Sequence, residues 1–323
     1  MKLKTEARET LSTPWPHRHR HILDLDDFSP GDVELVFNTA EAMKEILSRE
    51  IKRVPTLRGK TVVTLFYEPS TRTRASFELA AKNLSADVVS VTSTTSSVVK
   101  GESLVDTIRT LESLGADVIV LRHPCSGAPN LAAQSTSVSI INAGDGWHAH
   151  PTQALLDLYT VREVKKKLDG LKVVIVGDVL HSRVARSNIW GFSLMGADVV
   201  LCGPPPLLPS WWGKAYPWVR LEWDVERALD GADVVMALRL QLERQGGEAG
   251  LSLREYIQSY QINGPRLALA KADALLLHPG PVNEGIELSP EVSQGSQSFI
   301  QAQVSNGVAI RMALLYLLCG GGA

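Results

Sequence analysis

The sequence predicts an α/β fold with two domains, each a mainly parallel sheet flanked by helices. Short apolar runs rich in valine, isoleucine and leucine alternate along the chain with longer segments of helical periodicity, a pattern typical of βαβ units. The chain has 323 residues, which is long for a single hydrophobic core. A last apolar segment at residues 297–318 has the length and spacing of a helix that packs back on another domain.

Composition and charge exclude several classes of protein. Hydrophobic residues make up 44% of the chain and charged residues 21%, as in ordinary soluble globular proteins. The net charge of −2 provides no electrostatic basis for binding nucleic acid or an anionic membrane. The three cysteines lack metal-ligand spacing, which favours a reducing cytoplasm. No apolar run predicts a membrane span, and residues 1–20 lack the apolar core of a signal peptide.

The first domain is predicted to contain four strands. They lie at residues 61–66, 87–91, 118–121 and 139–143. Ser29, Pro30 and Asp32 predict a helix N-terminus, with serine as the cap and proline at the first helical position. Residues 1–20 are polar and predicted to be loosely ordered, although the alternating histidines and arginines at 17–20 could also form a metal or anion patch.

The second domain repeats the alternation of strands and helices. Pro151 opens a helix that a basic segment at 162–168 ends, and we place the domain boundary along this helix, after residue 152. The remaining predicted elements are strands at residues 172–178, 198–201, 234–236 and 274–277, and a glycine-rich loop at 245–250.

The turn after the first predicted strand is dense in hydroxyl and guanidinium groups. Ser70, Thr71 and Thr73 supply three hydroxyls. Arg72 and Arg74 add two planar forks suited to phosphate or carboxylate, at a helix N-terminus whose N–H groups and dipole attract anions. An ordinary N-cap would need one hydroxyl, and the two arginines would repel each other without an anion between them. We therefore predict an anion site, which is not a Walker loop because the glycines and the Lys-Ser/Thr pair are missing.

Two further polar clusters directly follow predicted strands. Arg122 comes after the third strand, and His150 and Gln153 come after the fourth, in the segment GDGWHAHPTQ at 144–153. Arg122 could simply pair with a surface acid, and a lone histidine is usually not functional. The carboxyl ends of parallel strands share one edge of a sheet, however, where ligands bind. We therefore place Arg122 and His150 with the anion site.

The second half has polar groups after its own strands. Residues 176–187 place a glycine after a strand, but the other glycines of a dinucleotide fingerprint are absent, so we reject NAD binding. His181 in this segment could equally order the loop or contact a ligand. Arg239 and Gln241 lie two apart in an extended segment and point to the same face, although a solvated charged loop would show the same pattern.

The run STRTR at 70–74, followed by SFE at 76–78, resembles the carbamoyl-phosphate signature of the carbamoyltransferases, and the rest of the chain resembles the aspartate carbamoyltransferase catalytic chains in particular. The resemblance implies a first domain of residues 1–152 joined by a returning helix at 294–323, and a second domain of 153–293. It also implies a carbamoyl-phosphate site made by Ser70, Thr71, Arg72, Thr73, Arg122, His150, Gln153, Gly280 and Pro281.

The resemblance assigns roles within that site. The first four residues of the set would hold the phosphate. Thr73, Arg122 and His150 would polarise the carbamoyl oxygen, as an oxyanion hole does. Gln153 would accept from the carbamoyl NH2 group, and backbone carbonyls of the turn HPGP at 278–281 would receive the substrate amines.

The aspartate site implied by the resemblance combines groups from two chains. Arg183 would bind the α-carboxylate, and Arg239, with Gln241 beside it, would bind the side-chain carboxylate. Ser96 and Lys100 would reach into the site of the neighbouring subunit of a homotrimer. From the sequence alone, their loop could equally be an exposed flap.

The resemblance implies transfer of the carbamoyl group of carbamoyl phosphate to L-aspartate, giving N-carbamoyl-L-aspartate and phosphate in pyrimidine biosynthesis. It implies no cofactor, no metal and no covalent nucleophile, because positioning and electrostatics can drive this reaction. One alternative is ornithine carbamoyltransferase, against which Arg239 argues because it would face an ammonium group. Another is a catalytically silent assembly subunit. The sequence leaves open whether regulatory chains or a dihydroorotase associate, and how Glu284, at a position where the family commonly has arginine, changes the local salt bridges.

Overall fold

The computed structural model describes residue 15 and residues 19–92, 102–241 and 252–319, and the chain divides into two compact units. Unit 1 comprises Met1–Thr152 and Asn306–Ala323, and unit 2 comprises Gln153–Ser305. Each unit is built around a sheet whose strands all pair in parallel, which confirms the predicted fold class.

Unit 1 contains four strands that the sequence predicts, some extended by one or two residues. They are β1 (Thr61–Phe66), β2 (Asp87–Thr92), β3 (Val118–His123) and β4 (Ser139–Asp145), in the spatial order β2-β1-β3-β4. The described helices are α1 (Pro30–Ser48), α2 (Thr71–Asn83), α3 (Leu104–Ser113) and α4 (Ala128–Gln134), with a 3-10 turn at Pro55–Leu57. All residues of β1 after Thr61 are buried, as expected for a central strand of a parallel sheet.

Unit 2 contains a five-stranded sheet. Its strands are β5 (Lys172–Val176), β6 (Asp198–Cys202), β7 (Arg220–Glu222), β8 (Val234–Ala237) and β9 (Leu275–Leu277), in the order β7-β6-β5-β8-β9. The helices are α5 (Pro151–Lys165), α6 (Arg183–Leu194), α7 (Trp212–Ala215), α8 (Val225–Leu229), α9 (Leu253–Tyr260), α10 (Gly264–Leu267) and α11 (Pro290–Ser293). Strand β7 was not predicted from the sequence, and it is a three-residue edge strand with a charged residue at each end.

The chain crosses between the units in two helices. The first crossing lies in α5, between Thr152 and Gln153, and the second in α12 (Ile300–Cys319), between Ser305 and Asn306. The later part of α12 packs in unit 1 as predicted. There Lys44 Nζ donates to Asn306 at 2.9 Å, and Arg311 Nη1 donates to Ser76 Oγ at 2.6 Å.

The predicted return at residue 294 is too early, because residues 294–305 belong to unit 2. The backbone explains this difference. Leu276 donates to the Gln297 carbonyl at 2.7 Å, and Phe299 donates to the Leu276 carbonyl at 2.9 Å, so this segment extends the edge at β9.

Helix α12 meets the length and composition criteria for a membrane span, although it packs as a core helix. Among the described residues it is the one helix long and apolar enough to cross a bilayer, with a mean hydropathy of 1.3. However, 61% of the 18-residue stretch that meets this test is buried inside the protein. Core helices pass the same test of length and composition, and the contacts of Asn306 and Arg311 are those of a core helix.

The start of α1 forms as predicted. Ser29 Oγ accepts from the Asp32 N–H at 3.2 Å, and Asp32 Oδ2 accepts from the Ser29 N–H at 2.9 Å, which completes a capping box. The expectation of loose order was wrong for His19. Its ring is buried and lies 3.6 Å from a carboxylate oxygen of Asp27 and 3.3 Å from one of Asp32.

Candidate active site

The turn between β1 and α2 places the predicted anion-binding residues at a helix N-terminus. Ser70 is the N-cap residue, but its side chain makes no capping hydrogen bond. Thr71 and Arg72 occupy the first turn and are exposed, and Thr73 is buried. An ordinary cap would use the Ser70 hydroxyl on a helix N–H. The geometry therefore favours an anion site over a simple cap.

The two arginines of the turn differ in their surroundings. Arg74 Nε lies 3.6 Å from Glu78 Oε1, one turn further along α2. Arg72 lies closer to the helix N-terminus, where the N–H groups are free of helical partners. The sequence treats both side chains as anion-binding forks, and the structure places Arg74 beside a carboxylate of its own helix.

Arg122 stands at the end of β3, beside the end of β1. Phe66 and Arg122 are register partners, and the Tyr67 N–H donates to the Arg122 carbonyl at 2.9 Å. The guanidinium donates from Nη1 to the Ala143 carbonyl at 3.2 Å, and its Nε lies 3.3 Å from Glu68 Oε2. The sequence suggested that Arg122 could pair with an acid but did not identify Glu68. The position of Glu68, two residues before Ser70 in the same turn, was the available indication that it lies near Arg122.

The turn after β4 is organised by Asp145. This carboxylate is fully buried and lies at hydrogen-bond distance from four groups: the Gly127 N–H at 2.6 Å, the Ala149 N–H at 3.0 Å, the Asn142 amide at 2.9 Å and His148 Nδ1 at 3.1 Å. A side chain at position 146 would overlap with Ser126, so glycine is required there. The tight turn places His150, 4% exposed, directly before α5.

His123, next to Arg122, has a structural role. Its Nδ1 accepts from the Cys125 N–H at 3.0 Å, and its ring packs 4.7 Å from that of Tyr67. Burial lowers the pKa of His123. The ring therefore shapes the turn that follows Arg122.

Ser96 and Lys100 lie outside the described residues. Their predicted contacts with a neighbouring subunit therefore stay predictions.

In unit 2, Arg183 is the first residue of α6 and is 5% exposed. Ser182 caps this helix by accepting from the Ala185 N–H at 3.1 Å. His181 donates its N–H to Asp178 Oδ1 at 3.2 Å, and its Nδ1 lies 2.8 Å from the same oxygen. These contacts favour a loop-ordering role for His181.

The segment after β8 is held by two buried carboxylates. The Leu240 N–H donates to Glu287 Oε1 at 2.7 Å, and the Gln241 N–H donates to Asp178 Oδ2 at 3.3 Å. Arg239 precedes these two residues and is half-buried. Burial raises the pKa of Glu287, and the hydrogen bonds that it accepts from Leu240 and Asn283 oppose that rise.

No local pattern pointed to Glu287 as a partner of Leu240, because the two residues are 47 positions apart. Asp178, in contrast, lies in the polar segment after β5 that was already a candidate site from the sequence. The sequence pattern there indicated a polar turn, but it did not indicate that Asp178 contacts Gln241 in the segment after β8.

The turn after β9 contains the predicted backbone acceptors Gly280 and Pro281. His278 Nδ1 accepts from the Gly280 N–H at 2.8 Å, and the His278 N–H donates to Gln303 Oε1 at 2.9 Å. The peptide bond between Gly280 and Pro281 is cis. Glu284, the departure from the family pattern, is exposed.

The structure thus forms two groups of predicted residues. In unit 1 they follow the adjacent strands β1, β3 and β4: Ser70, Thr71, Arg72, Thr73, Arg122 and His150. In unit 2 they follow the adjacent strands β5, β8 and β9: Arg183, Arg239, Gln241, Gly280 and Pro281. Gln153, in the first turn of α5, also belongs to unit 2.

Known proteins resemble the chain along its whole length. The aspartate carbamoyltransferase catalytic subunit of Dehalococcoides mccartyi is 57% identical over 322 residues, 99% of this chain and 97% of that protein. The corresponding subunit of Roseiflexus sp. is 59% identical over 307 residues, 94% of this chain and 96% of that protein.

Solved structures agree in fold. Aspartate transcarbamoylase from Trypanosoma cruzi, in complex with carbamoyl phosphate and aspartate, has a TM-score of 0.86 at 30% identity, covering 95% of this chain and 99% of that one. Ornithine carbamoyltransferase from Pyrococcus furiosus has a TM-score of 0.85 at 28% identity, covering 94% and 98%.

Family assignments cover both halves of the chain. Residues 20–163 match the carbamoyl-phosphate-binding domain of the aspartate/ornithine carbamoyltransferases, and residues 169–318 match their aspartate/ornithine-binding domain. The chain therefore belongs to the aspartate/ornithine carbamoyltransferase family.

Proposed function

We propose that this chain transfers the carbamoyl group of carbamoyl phosphate to L-aspartate, giving N-carbamoyl-L-aspartate and phosphate in pyrimidine biosynthesis. Relatives that are 57% and 59% identical over nearly the whole chain are aspartate carbamoyltransferase catalytic subunits. Structural similarity does not separate the two branches of the family, because aspartate and ornithine enzymes match almost equally well. The choice of aspartate therefore depends on those relatives and on the residues of unit 2.

The segment after β8 is the observation that carries this choice. Two buried carboxylates hold the backbone of Leu240 and Gln241, so the segment presents Arg239 in a defined place. A guanidinium group binds a carboxylate in a charge-assisted pair and repels an ammonium group. Aspartate has a side-chain carboxylate, whereas ornithine has a side-chain ammonium. Arg183 would bind the α-carboxylate, which both amino acids share.

Unit 1 would bind the phosphate and polarise the carbamoyl group. Ser70, Thr71, Arg72 and Thr73 surround a helix N-terminus with hydroxyl and guanidinium donors. Arg122 and His150 follow the neighbouring strands and would stabilise the negative charge that develops on the carbamoyl oxygen. Removing one such donor typically costs about 3–4 kcal/mol of transition-state stabilisation.

The reaction needs no dedicated side-chain base. The aspartate amine attacks the carbamoyl carbon, a C–N bond forms, and the C–O bond to phosphate breaks. The leaving phosphate takes the proton that the amine loses. Holding two reactants in position can supply roughly 7–11 kcal/mol of the barrier reduction. The positioning of the two substrates would therefore account for much of the catalysis.

We also propose a cytoplasmic homotrimer in which Ser96 and Lys100 complete the site of the adjacent chain. The assignment to the cytoplasm is supported by the cysteines Cys125, Cys202 and Cys319, which are all free thiols. The trimer is proposed from the family resemblance of the loop that carries Lys100. It is tested by the mixing experiment in the Discussion.

Comparing two acceptors tests the activity. Purified protein with carbamoyl phosphate should form N-carbamoyl-L-aspartate, with kcat/KM for aspartate at least about a hundredfold above that for ornithine. A preference for ornithine would replace the proposal with the other branch of the family. Absence of product from either amino acid, in a folded protein, would favour a silent assembly subunit.

A further inference from the structure

Asp157 lies on α5 one turn after Gln153, and its carboxylate is fully buried. Three side-chain amides donate to it. Gln153 Nε2 lies 2.8 Å and Gln303 Nε2 lies 2.7 Å from Oδ1, and Asn188 Nδ2 lies 2.9 Å from Oδ2. All four residues are buried and belong to unit 2. They form a hydrogen-bonded cluster around one carboxylate.

This cluster determines which end of the Gln153 amide faces Asp157. In the structure the NH2 end of Gln153 faces the carboxylate and donates to its Oδ1, which acts as a hydrogen-bond acceptor. An unrestrained glutamine amide can present either its oxygen or its NH2 group, because the two ends have nearly the same shape. With the NH2 end of Gln153 bound to Asp157, its carbonyl oxygen is the end left to accept a hydrogen bond from a ligand.

The same carboxylate reaches a second predicted part of the site. Because Gln303 also gives its NH2 end to Asp157, its carbonyl end is the one that accepts the His278 N–H at 2.9 Å. His278 in turn accepts the Gly280 N–H at 2.8 Å. A continuous chain of hydrogen bonds thus connects Asp157 with the turn at 278–281.

We propose that Asp157 is a positioning residue that makes Gln153, and through Gln303 the turn at 278–281, acceptors for the N–H groups of the carbamoyl substrate. This inference rests on the proposed function, which supplies a ligand with an NH2 group. Asp157 acts through its neighbours and does not touch the substrate. Its loss should therefore affect recognition of the NH2 group more than recognition of the phosphate.

Two stable ligands separate these contributions. Phosphonoacetamide and 2-oxopropylphosphonate share the phosphonate and carbonyl groups, and differ in carrying NH2 or CH3. By isothermal titration calorimetry, the wild type should prefer the amide by about tenfold, the contribution expected of a single hydrogen bond at the upper end of its range. Gln153→Ala and Asp157→Asn should each reduce that preference to about twofold or less. In Asp157→Asn the new NH2 group can bind the Gln153 oxygen and turn its NH2 end toward the ligand.

Asn188→Ala is the matched control. It removes the donor to Oδ2 and leaves the bond between Oδ1 and Gln153, so the preference for the amide should persist. The double variant Gln153→Ala/Asp157→Asn should show no further loss of preference beyond Gln153→Ala. A merely structural role of Asp157 would instead weaken both phosphonates by the same factor.

The outcomes are separable. An unchanged preference in Asp157→Asn, or equal weakening of both ligands, overturns the inference. If this variant does not fold, hydrogen exchange in the wild type provides the test. The side-chain NH2 signal of Gln153 is the NMR signal that Gln153→Ala lacks, and its hydrogens should exchange with solvent about a hundredfold more slowly than those of free glutamine. Exchange at the free rate overturns the inference. If the wild type prefers phosphonoacetamide but transfers no carbamoyl group, only the proposed function is contradicted. If it transfers the carbamoyl group but shows no preference for phosphonoacetamide, only this inference is contradicted.

Discussion

Arg72 is exposed in the first turn of α2, one position from Thr73 and two from Ser70. Replacing Arg72 with alanine should reduce turnover by at least about a thousandfold, because a charged donor to the phosphate is lost. The free energy of unfolding should change by less than about 0.5 kcal/mol, as is usual at an exposed position. Initial rates and urea denaturation measure the two effects.

Lys82→Ala is the control for Arg72→Ala, since Lys82 is an exposed cation in the last turn of the same helix. It should keep wild-type turnover. Near-normal turnover in Arg72→Ala would remove the phosphate assignment. A large loss in Lys82→Ala would mean that general charge, rather than position, is responsible.

Arg239 should govern the use of aspartate. Without its guanidinium, one carboxylate of the substrate loses a charge-assisted partner, so kcat/KM for aspartate should fall by about ten- to a hundredfold in Arg239→Ala. The KM for carbamoyl phosphate should change by less than about threefold, because the predicted phosphate contacts all lie in unit 1.

Arg227→Ala serves as the comparison for Arg239→Ala, because its side chain is 79% exposed and pairs with Asp224. Steady-state kinetics with each substrate varied in turn measure both parameters. Unaltered aspartate kinetics in Arg239→Ala would exclude this residue as the carboxylate ligand.

What a local pattern can predict is clearest at these residues. The hydroxyls and arginines at 70–74 are neighbours in sequence, so their clustering at a helix start was readable without a structure. Asp157 could have been found too, since glutamine and aspartate four apart on a helix face each other. Glu287 could not, because it meets Leu240 only after two strands have paired.

At the scale of elements, the start of α1 contains an ion-pair cluster that composition did not predict. Burial by itself would lower the pKa of His19, but the carboxylates of Asp27 and Asp32, at 3.6 and 3.3 Å from its ring nitrogens, raise it to about 9. Burial would raise the pKa of Asp32, but hydrogen bonds from His19 and Ser29 lower it to about 2. A histidinium is therefore stabilised beside the capping box.

The cluster should make stability depend on pH. The folded pKa of His19 is raised, so its contribution is complete below the usual value of 6.5 and disappears as pH rises toward 9. The folded pKa of Asp32 is lowered, so its contribution is complete above 3.8 and disappears as pH falls toward 2. The free energy of unfolding of the wild type should thus exceed that of His19→Gln by the largest amount near pH 5–6. At pH 9 this difference should be smaller by about 3 kcal/mol.

His21→Gln is a control with the opposite sign. Burial lowers the pKa of His21, with a smaller effect from Arg20, so the stability that wild type gains over this variant should rise, not fall, from acid to neutral pH. Urea denaturation at pH 5, 7 and 9 would follow both variants. Parallel pH profiles for the two would contradict the His19 assignment.

Strands and helices themselves were largely predictable, for reasons that differ between elements. The strands β1, β3 and β4 are largely buried apolar runs between turn signals, which suits a parallel sheet, and the edge strand β2 was recognisable from its valines although it is partly exposed. Strand β7 was not predicted because Arg220–Glu222 has only one apolar residue and lies at the sheet edge. The late return of α12 to unit 1 depends on pairing with Leu276, which periodicity within a helix does not report.

At the scale of the whole molecule, the predicted ligands of the two substrates fall largely into different units. The residues predicted to bind phosphate and to polarise the carbamoyl group belong to unit 1, and the predicted aspartate ligands of this chain belong to unit 2. The chain passes between the units twice, and each crossing lies inside a helix, α5 or α12. Ser96 and Lys100 are the predicted ligands that the family resemblance assigns to the neighbouring chain.

Mixing two inactive variants tests that shared site. In a cyclic trimer, each site would take Arg72 from one chain and Lys100 from its neighbour. Lys100→Ala and Arg72→Ala should each be inactive alone, yet a hybrid trimer contains interfaces where the intact Arg72 of one chain meets the intact Lys100 of the other. Random reassembly of equal amounts should restore about one quarter of the wild-type rate. Arg72→Ala mixed with Arg122→Ala is the control, because both residues lie in unit 1 of one chain and no interface can supply an intact pair. Hybrids verified by native mass spectrometry that recover no activity would show that each chain builds its site alone, and recovery in the control would show exchange of whole units instead.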